Sequence, residues 1–298
     1  MKIELASSYG FCFGVKRAIK IAENAGDAAT IGPLIHNNEE INRLEKNYNV
    51  KTLEGIDELK DEKKAIIRTH GITKNDLAEL KKTDIKVIDA TCPFVTKPQQ
   101  ICEKMSEEGY DVVIYGDVHH PEVKGVKSYA KGNVYVVLEE SELEGIKFKQ
   151  KVALVSQTTR KVEKFMQIAN YLMLHVKEVR VFNTICNATF ENQEAAKNLA
   201  KRADVMIIIG GKNSSNTKQL YLISKNFCED SYLIESEEEL EKSWFEGKNL
   251  CGISAGASTP DWIIQKVVDR IKKSIKFILA KATINYNKLI CLYWHNKI

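Results

Sequence analysis

Short apolar runs rich in Val and Ile alternate with amphipathic stretches along most of the chain. Runs of four to six such residues read as strands. The stretches between them, with apolar positions three and four apart, read as helices. The alternation predicts βα units and parallel sheets. The runs also fall into four sets, each occurring three times. The first precedes a cysteine: Lys2–Leu5 before Cys12, Ile85–Asp89 before Cys92, Val179–Asn183 before Cys186. A helical pattern follows, with Val15, Ala18, Ile19 and Ala22 on one face, and Ala195, Leu199 and Ala200 in the third case. The second set ends in glycine: Thr30–Gly32, Val112–Gly116 and Met206–Gly210. Cys92 to Gly116 and Cys186 to Gly210 are both 24 residues, and Cys12 to Gly32 is 20. The third set is Asn49–Glu54, Asn133–Glu139 and Ser231–Glu235; the fourth is Ala65–His70, Val152–Thr159 and Leu250–Ser254. The pattern predicts three α/β units, each with about four short parallel strands. In the third unit the cysteine-type strand has to be the N-terminal one, which closes the ring.

Composition narrows the functional classes. The chain has 298 residues, 44% hydrophobic and 28% charged, with only 5 Pro, which excludes fibrous and disordered classes. The net charge of +4 is spread among interspersed acids and bases and gives no nucleic-acid footprint. No apolar run approaches the ~20 residues of a membrane span. Glu4 stands where a signal peptide would be apolar. The expectation is a cytoplasmic protein with no membrane and no nucleic-acid partner. Seven cysteines, widely spaced and without a CxxC, do not form a secreted disulfide framework.

In open α/β sheets ligands bind at the carboxyl ends of strands. Cys12, Cys92, Cys186, His36, His70, His120, Thr158, Ser214 and Ser258 all fall there. Three thiolates meeting at a pseudo-threefold axis would repel unless a metal held them. Zinc takes three Cys and a fourth ligand; an iron–sulfur cubane takes three Cys and leaves one iron open. Spacing alone does not choose between them. Cys102, Cys228, Cys251 and Cys291 read as buried small apolar residues and are assigned no role. The three histidines, the segment Lys212–Thr217 and the loop Ser254–Pro260 offer donors to an anion of diphosphate size, with Gly256 permitting close backbone approach. No Walker lysine motif is present. Glu122, beside His120, is a candidate proton donor that Thr158 could orient. Lys16, Arg17 and Arg68 read as surface or steering charges.

The same residues carry a family resemblance. Tyr9–Val15, Gly32–Asn37, Arg68–Gly71, Asp89–Pro93, His120–Val123, Ser156–Thr159, Asn183–Thr189, Asn213–Asn216 and Ala255–Ser258 resemble, in order, the motifs of the 4-hydroxy-3-methylbut-2-enyl diphosphate reductases, the IspH/LytB family. The resemblance implies a trefoil of three α/β domains around a central [4Fe–4S] cluster, one per chain. It implies cluster ligation by Cys12, Cys92 and Cys186, with an open fourth iron for the substrate hydroxyl. His36, His70, Ser214, Asn216 and Ser258 would form the diphosphate pocket, with His120 and Ser215 beside it as further substrate-binding residues, and Glu122, Thr158 and His120 would form the catalytic set. Thr158 would also hold the substrate alcohol. The implied reaction is a two-electron, two-proton dehydroxylation of the allylic diphosphate to isopentenyl and dimethylallyl diphosphate, the last step of the methylerythritol phosphate route. Flavodoxin or ferredoxin would supply the electrons to a monomer. The domains are expected at 13–92, at 93–182 and at 183–276 plus 1–12. The pattern weakens after Arg270, and 277–298 form an atypical tail. Two other readings are a zinc-dependent phosphohydrolase and a non-enzymatic phosphometabolite-binding protein.

Overall fold

The computed structural model describes residues 1–274; the tail at 277–298, with Cys291, lies outside the described residues. The elements follow the threefold pattern. First come β1 (Lys2–Leu5), α1 (Phe13–Ala25), β2 (Ala28–Ile31), α2 (Asn38–Tyr48), β3 (Val50–Leu53), β4 (Lys64–Ile67), α3 (Lys74–Leu80) and β5 (Lys86–Asp89). Then come α4 (Pro93–Glu107), β6 (Asp111–Tyr115), α5 (Pro121–Ser128), β7 (Val134–Val137), β8 (Lys151–Ser156), α6 (Val162–His175) and β9 (Glu178–Val181). Last are α7 (Asn187–Ala200), β10 (Val205–Ile209), α8 (Ser215–Lys225), β11 (Ser231–Ile234), β12 (Leu250–Ala255) and a helix, α9, over 261–274.

The strands form three four-stranded parallel sheets of one order: β5-β4-β2-β3, β9-β8-β6-β7 and β1-β12-β10-β11. In each, the strand that leads to a cysteine is an edge. The N-terminal strand completes the third sheet, Lys2 pairing with Leu250 and Leu5 with Ile253. The chain forms two compact units. One is Phe11–Glu191, holding the first two sheets; the other is Met1–Gly10 with the chain from Asn192 onward, holding the third.

Central strands buried on both faces explain the unbroken apolar runs. In β10, Val205, Ile207 and Ile209 pack with Ile263, Ile264 and Val267 of α9, while Met206 and Ile208 pack with Ala196 and Leu199 of α7 and Leu220 of α8. In β6, Val113 and Tyr115 meet Phe165, Ile168 and Leu172 of α6, and Val112 and Ile114 meet Val123 and Val126 of α5. Cys102, Cys228 and Cys251 are buried within these cores. Among the described residues no helix is long and apolar enough to cross a membrane.

Candidate active site

Cys12 occupies the N-cap position of α1, Cys92 that of α4, and Cys186 directly precedes α7. Each cysteine follows an edge strand and stands where the chain enters the next helix. Helix N-terminal amides therefore face sulfur. Phe94 and Val95 N–H groups approach Cys92, and those of Ala188 and Thr189 approach Cys186. Such donors favour thiolate, which is what metal binding needs. Burial opposes them, and so does the charge of neighbouring thiols: Cys92 feels Cys12 and Cys186, and Cys186 feels Cys12. The Cys92 thiol is thus pushed up to about 11. Three mutually repelling thiols with amides aimed at them fit a cationic metal group. A single tetrahedral zinc, with Zn–S bonds near 2.3 Å, would set its sulfurs about 3.8 Å apart. Among the described residues only His36, His70 and His120 form a metal-type group with all ligand atoms within 4.8 Å. Cys12, Cys92 and Cys186 do not form such a group, so a single tetrahedral zinc does not fit the three thiols.

Gly14 makes room for this arrangement. A Cβ at Gly14 would sit 2.5 Å from Cys92 Sγ. Arg17 Nη1 donates to the Thr91 carbonyl at 3.1 Å, tying α1 to the turn that carries Cys92. Arg17 is therefore partly structural rather than a free surface charge.

The three histidines stand at strand ends with ring centroids 4.6 Å (His36–His70), 5.7 Å (His36–His120) and 5.4 Å (His70–His120) apart. His120 caps α5, its Nδ1 accepting from Glu122 N–H at 3.2 Å. That contact places the proton of the neutral ring on Nε2. Burial first, and then the charge of His36, lowers His120 to about 4; burial, His36 and His120 hold His70 well below its ordinary value. Arg68 adds to both depressions. Arg68 is not the surface charge expected from sequence: its Nε is buried, and its guanidinium fills the space over Gly32, where a Cβ would lie 2.4 Å from Nη1. His70 and His120 are therefore neutral rings at neutral pH, placed beside the buried Arg68 guanidinium.

Glu122 lies in the first turn of α5 and is 1% exposed. Thr158 N–H donates to its Oε1 at 2.7 Å, and Thr158 Oγ1 to its Oε2 at 2.8 Å. Burial outweighs both bonds and raises the carboxyl to about 7. A carboxylic acid half-protonated near neutrality is suited to proton delivery. Thr158 also binds the metal side of the site: its carbonyl accepts from Cys186 N–H at 2.9 Å.

The remaining predicted residues belong to the other compact unit. Ser214 caps α8, accepting from Thr217 N–H at 3.3 Å. Ser215 and Asn216 follow in the first turn. Asn216 is 4% exposed, and neither atom of its amide has a hydrogen-bond partner among the described residues. Ser258, also buried, sits in the loop after β12. The space beside Gly256 is taken by Thr217: a Cβ there would lie 2.1 Å from Thr217 Oγ1. Gly256 thus lets its loop close on α8.

Sequence reasoning passed over Gly14, Arg160 and Gln157. Arg160 Nε donates to Gln157 Oε1 at 3.1 Å, and its charge acts on both Glu122 and His120. The signal was its place one residue beyond the Ser156–Thr159 motif.

Residues 3–272 match the model of the LytB protein family. The chain is 98% identical over 273 residues to the 4-hydroxy-3-methylbut-2-enyl diphosphate reductase of Campylobacter concisus, covering 92% of this chain and 100% of that one. It is 72% identical over 272 residues to the enzyme of that name from Campylobacter fetus, covering 91% and 98%. A solved structure of (E)-4-hydroxy-3-methyl-but-2-enyl diphosphate reductase, described as the terminal enzyme of the non-mevalonate pathway, aligns at TM-score 0.68 with 46% identity over 91% of this chain and 99% of that one. The Plasmodium falciparum E-1-hydroxy-2-methyl-but-2-enyl-4-diphosphate reductase aligns at TM-score 0.84 with 27% identity, over 90% and 86%. With its three like-ordered sheets and a family match running almost from end to end of the described residues, the chain belongs to the LytB protein family.

Proposed function

We propose that this protein is the reductase that removes the hydroxyl of 4-hydroxy-3-methylbut-2-enyl diphosphate, giving isopentenyl and dimethylallyl diphosphate. The allylic C–O bond breaks, two electrons and two protons enter, and water leaves. The observation that carries the reading is the buried Glu122 carboxyl, raised by burial to about 7 and bonded through both oxygens to Thr158, whose carbonyl accepts from Cys186 N–H. Membership of the family and the names of the relatives support it.

Cys12, Cys92 and Cys186 are assigned to one [4Fe–4S] cluster, each supplying one thiolate. When bound, a cluster with an open fourth iron supplies Lewis acidity toward the hydroxyl and the reducing electrons. The protein supplies the rest. His36, His70 and His120 take up protons against the diphosphate, and Ser214, Ser215, Asn216 and Ser258 donate further hydrogen bonds to it. Anchoring that end fixes the reacting carbon, which removes an entropic part of the barrier. Glu122 delivers a proton to the departing oxygen. Thr158 holds that carboxyl and the substrate alcohol in register. A flavodoxin or ferredoxin delivers electrons. We assign the three sheets to domains at 13–92, at 93–182 and at 183–276 plus 1–12, and the chain to a cytoplasmic monomer.

The test is metal content after anaerobic purification. Near four iron and four sulfide per chain, lost on Cys12→Ala, supports the assignment. One zinc per chain and no iron, even after reconstitution, would turn the reading to a hydrolase built on the three histidines.

A further inference from the structure

The N-terminal turn of α1 leaves an aromatic ring in solvent directly beside a thiol. Phe13, adjacent to Cys12, is 66% exposed. It opens a shallow groove of about 440 Å³ whose other walls are Lys16, Arg17, Lys20, Ile21 and Asn24. No acid lines the groove. The nearby Glu23 is held by Arg43 at 2.6 Å. The Gly14–Cys92 approach and the Arg17–Thr91 bond bring the start of α4 up to the start of α1. There Phe94 is 45% exposed and Lys97, one turn on, is exposed as well. Nothing in the folding of α1 calls for an exposed Phe13, since its buried face is Val15, Ala18, Ile19 and Ala22.

We propose that this face of α1, centred on Phe13 with Lys16 and Lys20, docks a small acidic flavoprotein that carries electrons one at a time. The inference rests on the reductase reading and deepens it. Charge complementarity selects an acidic partner and steers its approach. A protruding phenyl ring framed by lysines matches a carrier whose redox group sits at an apolar patch within an acidic rim. Redox encounters bury little area, on the order of 1,200 Å² or less, so they need no deep or extensive groove. Position completes the argument: Phe13 and Phe94 lie one and two residues from cysteines assigned to the cluster, so a carrier seated here delivers its electron over a short distance.

The test compares two electron sources on the reconstituted holoenzyme carrying Lys16→Glu and Lys20→Glu together. With dithionite-reduced methyl viologen, turnover is expected to stay within twofold of wild type. With reduced flavodoxin, KM for the flavodoxin is expected to rise at least tenfold and its dependence on salt to flatten. The doubly neutral Lys16→Gln, Lys20→Gln variant should fall between. Phe13→Ser should lower flavodoxin-driven kcat and leave dye-driven kcat unchanged. If flavodoxin-driven turnover is unaffected, or if both sources lose activity equally, the docking site is wrong. If wild-type holoenzyme turns over with neither source, the reductase reading itself fails.

Discussion

Thr158 grips both oxygens of Glu122, its backbone N–H at 2.7 Å and its hydroxyl at 2.8 Å, while the carboxyl remains buried with its midpoint about 7. The two bonds lower the carboxyl and burial raises it, so its midpoint is a balance that substitution can tip. Glu122→Gln keeps the shape and removes the proton. It should retain the visible cluster spectrum and lose about 10²–10⁴ in kcat, the range of a general acid. Turnover within threefold of wild type would remove Glu122 from the mechanism.

The same balance predicts a pH profile. The acid form is the active one, so kcat should fall as pH rises through about 7. Thr158→Val deletes the hydroxyl bond that lowers the carboxyl, so the basic limb should move to higher pH while kcat drops. Thr158→Ser should restore the wild-type limb. A limb that stays in place in Thr158→Val would mean that another group titrates.

Stability should respond to pH with two opposed contributions. The folded-state value of His120 lies near 4 against an ordinary 6.5, so between those values the unfolded chain binds more protons and stability is lost as pH falls. His70 acts in the same sense. Glu122, raised from 4.5 to about 7, binds more protons when folded, and its contribution is lost as pH rises through that window. In Glu122→Gln only the histidines remain. Its melting temperature should fall more steeply from pH 7 to pH 5 than that of wild type at equal cluster loading. Inorganic diphosphate should flatten the fall in both, since an anion stabilises the protonated rings. Equal slopes without diphosphate would contradict the assignment.

Asn216 offers a separation of binding from folding. Its buried amide has no partner among the described residues, a cost to the free protein that a ligand would relieve. Asn216→Ala should raise KM for the diphosphate substrate about tenfold or more and leave the melting temperature unchanged or higher. A fall in melting temperature with unchanged KM would assign Asn216 to structure alone.

Gly14→Ala tests the cluster pocket from the side of sterics. Its Cβ would fall 2.5 Å from Cys92 Sγ, so the thiol must move. Iron per chain should fall well below wild type while far-ultraviolet circular dichroism stays the same. Full iron content in this variant would show that the α1–α4 contact does not shape the site.

The fold was legible because a parallel strand covered on both faces must be apolar throughout, and such runs, repeated in one order, survive in sequence even where residue identities differ. All twelve expected strands are present within a few residues, and β1 does join β12. The placement of the cysteines at helix starts followed from their position just after edge strands. Arg68 could not be read because charge and a loop position suggest solvent, while the missing Cβ of Gly32 is what admits its guanidinium. Gly256 was legible as a close approach but not as to what approaches; the partner, Thr217, lies 39 residues earlier in the chain. Gly14 and Arg160 act through contacts between elements distant in sequence, which no local pattern records.

The most direct measurement is turnover by anaerobically reconstituted protein with dithionite-reduced dye and 4-hydroxy-3-methylbut-2-enyl diphosphate, analysed for the released diphosphates. The account predicts isopentenyl and dimethylallyl diphosphate from wild type and almost none from Glu122→Gln at equal iron content. Recovery of unchanged substrate, or of inorganic diphosphate and the free alcohol, from iron-loaded wild type would contradict it.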